Sequence, residues 1–145
     1  MSTDAPKKAI KIMVFGTFDG LHLGHLNFFK QARSLSTNSR LIVSIARDKN
    51  VKKIKKKLPE YSEIQRKNLV KKIGIADNVV LGDLGNYLKH IMKINPDIIA
   101  LGYDQTHYVE NLKKDLQKIN SNTKIVRLKP YKEKIYKNSL LKNKK

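Results

Sequence analysis

A chain of 145 residues with 40% hydrophobic content is long enough for one domain with a core of its own, and two domains would each be uncomfortably small. Its lack of cysteine excludes disulfides and thiolate metal sites and fits a cytoplasmic setting, and no apolar run reaches the length of a membrane span. The 31 Lys+Arg against 12 Asp+Glu leave a net charge of +19, a field that attracts polyanions, although most of these lysines read as solvated surface.

Residues 1–9 read as a flexible N-terminal tail without the apolar stretch of a signal peptide, and residues 10–145 as the single domain. Ile10–Phe15 is an apolar, β-branched run that predicts a buried strand ending at Gly16. Leu26, Phe29 and Leu35 recur at helical spacing, which predicts a helix over about Leu23–Leu35, broken by the polar run Ser36–Ser39. Leu41–Ala46 is the second predicted strand, followed by a lysine-rich loop that runs to Leu58 and Pro59. Ile64, Leu69, Val70 and Ile73 form the apolar side of a helix that stops at Gly74. Val79–Leu81 is a short third strand, and Tyr87, Leu88, Ile91 and Ile94 mark a helix closed by Asn95 and Pro96. Asp97–Leu101 is the fourth strand, Val109 to Ile119 the next helix, and Thr123–Leu128 the fifth strand, with a last helical turn at Ser139–Lys142.

Strands alternating with helices imply a three-layer α/β domain: a five-stranded parallel sheet with helices on both faces. Ligands bind such sheets beyond the carboxyl ends of the strands, where strand order reverses. The turns after Phe15, Ala46 and Leu101 are therefore the places to look.

The first turn carries Gly16, Gly20 and Gly24, with His22 and His25 three residues apart. Glycine permits a tight bend and close approach of a ligand to main-chain N–H groups. A helix start beyond it offers N–H groups and a partial positive charge, both suited to phosphate. Two imidazoles on one face of that helix start can donate hydrogen bonds to phosphate oxygens as charge develops there. As half of a metal site the pair is poor: Asp19 is the only obvious third ligand, and no residue is assigned to a metal.

The run Gly16-Thr17-Phe18-Asp19-Gly20-Leu21-His22-Leu23-Gly24-His25 resembles the G-T-F-D-x-x-H-x-G-H signature of the cytidylyltransferase-like nucleotidyltransferases. The order of elements extends this resemblance from about Ile10 to the C terminus and implies a Rossmann-like fold. It implies nucleotide binding by Gly16, Thr17, Phe18, His22, Leu23, Gly24 and His25, with Thr17 and Phe18 lining the triphosphate pocket and His22 and His25 catalytic. Family members also set lysines of the loop after the second strand and an arginine of the following helix against phosphates. Lys53 and Arg66 are the candidates here, although by sequence alone Arg66 is one more exposed helix charge.

The run Leu101-Gly102-Tyr103-Asp104-Gln105 resembles the archaeal-type FAD synthases more than the glycerol-phosphate enzymes of the family. Asp104 is the candidate for contacting base, ribose or magnesium, with capping of the next helix as its structural alternative. Where relatives carry a Ser/Thr cluster for the β- and γ-phosphates, this chain keeps only Ser139 beside Asn138. The resemblance implies transfer of a nucleoside monophosphate from ATP or CTP to a phosphorylated acceptor, with Mg²⁺ as cofactor. ATP with FMN is the first expectation; the alternatives are CTP with glycerol 3-phosphate, or a nucleotide-binding pseudoenzyme. Dimers are common among similar proteins, so a homodimer is a family expectation. Nucleic-acid binding is disfavoured, because aromatic content is 7% and no basic-aromatic platform is present.

Overall fold

The computed structural model describes residues 8–105 and 111–130. Residues 1–7 of the predicted tail, the start of the helix predicted from Val109, and the predicted turn at Ser139–Lys142 lie outside the described residues. In chain order the elements are β1 (Ile10–Gly16), α1 (Leu23–Arg33), β2 (Ser39–Ile45), α2 (Asp48–Lys55), α3 (Glu63–Ile73), β3 (Asn78–Leu81), α4 (Tyr87–Ile94), β4 (Ile98–Leu101), α5 (Leu112–Lys118) and β5 (Lys124–Arg127). The five strands form one parallel sheet in the order β3-β2-β1-β4-β5, with Ile12 beside both Leu41 and Ile98 and Ile99 beside Ile125.

Both faces of this sheet are covered, which is why its strands are near-continuous apolar runs. In β1, Ile12 and Val14 face a core shared with Phe29 and Ala32 of α1 and Val70 of α3. Met13, between them, points the other way, into a core shared with Ile91 of α4 and Leu112 and Leu116 of α5. The alternation has a period of two, as the pleat requires. Across the second face, the Tyr87 hydroxyl donates to Asp115 and so ties α4 to α5.

One element departs from expectation. The lysine-rich segment after β2, predicted as a loop, is helical over Asp48–Lys55. Val51 and Ile54 supply a short apolar stripe, and Val51 is buried. Lysine is a good helix former, and Asp48 in the first turn with Lys52, Lys53 and Lys55 in the last suits the helix dipole. Two anchors among eight residues were too few to show as a periodic pattern.

From β1 the chain steps outward to β2 and β3, then returns across the sheet to β4 on the opposite side of β1. The reversal lies between β1 and β4, so the turns that follow them border one crevice.

Candidate active site

The turn after β1 is built around a folded-back aromatic ring. A Cβ at Gly16 would sit 2.5 Å from Cζ of Phe18, so only glycine leaves room for that ring. Phe18 itself has φ +51°, the left-handed region that a bulky residue holds only when its surroundings fix it. The residue is 5% exposed, and its ring packs against Phe29 at 5.1 Å, Phe28 at 6.3 Å and, edge-on, His25 at 5.4 Å between ring centroids. Phe18 therefore supports the turn from below, with its ring closed in among these neighbours.

His22 is the N-cap of α1 and His25 the third residue of that helix. The His22 ring accepts the Gly24 N–H at Nδ1 (3.1 Å), while the His22 N–H donates to Nδ1 of His25 (3.3 Å). The rings stack with centroids 3.8 Å apart and planes 21° from parallel. Because both Nδ1 atoms accept main-chain hydrogens, each neutral ring carries its own hydrogen on Nε2. Burial, reinforced by neighbouring His22, pushes the His25 pKa down to about 4, so this ring is neutral at pH 7. Three N–H groups of the helix start are committed within the motif itself. Gly24 N–H serves the His22 ring, and the N–H groups of His25 and Leu26 go to the His22 carbonyl.

Arg66 is the largest correction to the sequence reading. Rather than an exposed helix charge, it is fully buried, at 0% exposure. Its guanidinium donates to the carbonyls of Tyr61 (3.0 Å) and Thr17 (2.8 Å) and to Oδ1 of Asp48 (2.7 Å). Asp48 and Glu63 exchange main-chain hydrogen bonds with each other's carboxylates, at 2.8 and 3.2 Å. Glu63 also pairs with Arg47 at 3.0 Å, and Arg47 Nε donates to the Gly82 carbonyl beyond β3. Asp19 is not poised as a metal ligand: its two oxygens accept the N–H groups of Glu60 and Tyr61 at 2.7 and 2.8 Å. Sequence reasoning assigned none of Asp48, Glu63 or Asp19 to this framework.

On the other side of the crevice, Gln105 turns back beside β4. Its Nε2 donates to the Phe15 carbonyl and its Oε1 accepts the Gly102 N–H, both at 3.2 Å. Arg127 Nη1 donates to the carbonyls of Gly102 (2.8 Å) and Gln105 (2.6 Å). Asp104 stands exposed in this turn, Lys53 is exposed on α2, and Leu23 beside the histidines is 62% exposed. Gly16 to His25 thus come together as one turn, with Asp104 at the end of the neighbouring strand, while Ser139 lies outside the described residues. Among the described residues no three His, Cys, Asp or Glu side chains gather as a metal-binding group, and no helix is long and apolar enough to cross a membrane.

The sequence profile of the family described as Cytidylyltransferase-like matches residues 13–139. The chain is 41% identical over 126 residues to the FAD synthase of Thermococcus sibiricus, covering 86% of this chain and 83% of that one. It is 44% identical over 122 residues to the FAD synthase of Methanothermus fervidus, covering 83% of each. Among solved structures, the lipopolysaccharide core biosynthesis protein from Thermoplasma volcanium superposes with a TM-score of 0.78 at 35% identity, over 86% of this chain and 99% of that one.

Proposed function

We infer the reaction from membership: the chain belongs to the cytidylyltransferase-like family and is a nucleotidyltransferase. Its substrates, in our reading, are ATP and FMN, and its products FAD and pyrophosphate. The observation that carries the chemistry is the stacked His22–His25 pair with both Nδ1 atoms accepting main-chain N–H groups, which assigns the hydrogen of a neutral ring to Nε2. The FAD synthase relatives and the run Leu101–Gln105 support the choice of substrates.

An oxygen of the FMN phosphate bonds to the α-phosphorus of ATP. The bond from that phosphorus to the oxygen bridging to the β-phosphorus breaks, and this oxygen leaves with the electron pair as pyrophosphate. A phosphate monoester is already anionic and nucleophilic, so the protein supplies positioning and charge stabilisation rather than a base or a covalent intermediate. The Nε2–H groups of His22 and His25 donate to phosphoryl oxygens where negative charge grows. Gly16 and the Thr17–Phe18 main chain let the triphosphate approach, and Leu23 and Gly24 border it. Asp104 holds the ribose or base, and Lys53 and Ser139 are the remaining candidate phosphate contacts. The +19 net charge raises the local concentration of anionic substrates.

We assign Mg²⁺ as cofactor. It prefers oxygen ligands and retains water, so the triphosphate oxygens and water would hold it, with no protein residue assigned to it. When bound it neutralises charge on the β- and γ-phosphates.

The test is to incubate the protein with Mg²⁺ and each pairing of ATP or CTP with FMN or glycerol 3-phosphate, measuring pyrophosphate and product mass. FAD is expected from ATP and FMN alone. CDP-glycerol without FAD would overturn the substrate assignment.

A further inference from the structure

A fully buried guanidinium cannot meet a phosphate, yet Arg66 reaches the motif turn directly through the Thr17 carbonyl. Thr17 immediately precedes Phe18, whose left-handed backbone and buried ring set the floor under His25. Asp19, immediately after Phe18, is held by the N–H groups of Glu60 and Tyr61. The Tyr61 carbonyl in turn accepts from Arg66 Nε. The strained residue is thus gripped on both sides by one segment, 60–66, which ends at Arg66. Asp48 aims the guanidinium from its other end, and Glu63 and Arg47 carry the ionic chain on to Gly82. One network therefore joins the carboxyl ends of β1, β2 and β3.

We propose that Arg66 and Asp48 are positioning residues: together they hold the Thr17–Asp19 turn so that His22 and His25 present their Nε2–H groups to the reacting phosphate, and Arg66 is not a phosphate ligand. The proposal rests on the adenylyl-transfer reading above for its effect on rate. A geometric frame acts on how well the donors meet the transition state, so its loss lowers kcat. A direct phosphate contact made equally in ground and transition states acts on KM.

The experiment compares Asp48→Asn and Arg66→Lys with the wild-type full chain. Thermal melting establishes folding, and steady-state kinetics with ATP and FMN are combined with ¹⁵N NMR of the histidine side chains. Arg66→Lys keeps the charge, but one ammonium cannot reproduce the guanidinium fork. Asp48→Asn leaves Arg66 in place and removes the carboxylate that aims it. The expected result in both is a fall in kcat of about tenfold or more with the KM for ATP within about threefold, and displaced His22 and His25 ring resonances. A raised KM with unchanged kcat and unchanged resonances in Arg66→Lys, or wild-type kcat and resonances in both variants, would overturn the proposal. If Arg66→Lys does not fold, Asp48→Asn decides alone by the same criteria. Absence of adenylyl transfer by the wild type would count against the substrate reading, while the ring resonances would still test the frame.

Discussion

The carboxyl end of β1 is braced from two sides, and the braces are made of different materials. Toward β2 and β3 the brace is ionic and buried: Arg66 at 0% exposure, its pair with Asp48 at 2.7 Å, and the Glu63–Arg47 pair beyond. Toward β4 and β5 it consists of an amide side chain, Gln105, and the exposed guanidinium of Arg127 donating to carbonyls. A buried charge that loses its partner is left without water or counter-ion, whereas a bond at the surface exchanges with solvent at small loss. The histidine turn is thus locked by the costlier arrangement. The side proposed to receive the nucleoside is held by bonds that can be remade around a ligand.

The sharpest way to break this contrast is Arg66→Met, which leaves the Asp48 carboxylate and two carbonyls without their donor. A loss of about 3 kcal/mol in urea unfolding is expected, the low end of the range for a broken buried pair because Asp48 reaches solvent. Next come His22→Ala and His25→Ala, which leave both braces standing and remove only what they serve. Each is expected to lower kcat by about two to three powers of ten in a pyrophosphate-release assay while the fold persists. Turnover within a few-fold of wild type would exclude the roles given to these rings.

Acidification gives a graded loss on the same side of the molecule. The folded His25 ring resists protonation down to about pH 4, whereas the unfolded chain takes up that proton near the ordinary value of 6.5. The unfolded state therefore binds more protons between these values, and stability falls as pH drops from 6.5 toward 4. His90, also lowered chiefly by burial, acts in the same direction. Urea midpoints measured at pH 7 and pH 5 should show the decline, and His25→Gln should flatten it. The smallest effect belongs to the second brace: Gln105→Ala is expected to lose about 1 kcal/mol and to change the KM for ATP more than kcat. A stability loss equal to that of Arg66→Met would erase the distinction between the two sides.

Much of the fold was legible in the residues because burial on both faces makes each strand an apolar run. Every strand lies within two residues of its predicted bounds. The helix α2 was not, since only Val51 and Ile54 stand out from its lysines. Within the site, Gly16 to His25 announced themselves by local pattern alone. Arg66 did not, because its decisive partners Thr17 and Asp48 lie 49 and 18 residues away.

By itself the sequence determined the order of elements, the parallel sheet and a glycine-rich turn with paired imidazoles, because these are written in local spacing and hydrophobic period. The ring hydrogens and the Phe18 floor follow from the backbone geometry of the turn and helix start, which residue pattern alone does not show. Tertiary structure decided that Arg66 is buried and that Asp19 is held by the Glu60 and Tyr61 N–H groups. The placements of Arg66 and Asp19 depend on hydrogen bonds between segments that meet only after folding, 49 and 41–42 residues apart in the chain, and no single stretch contains both partners.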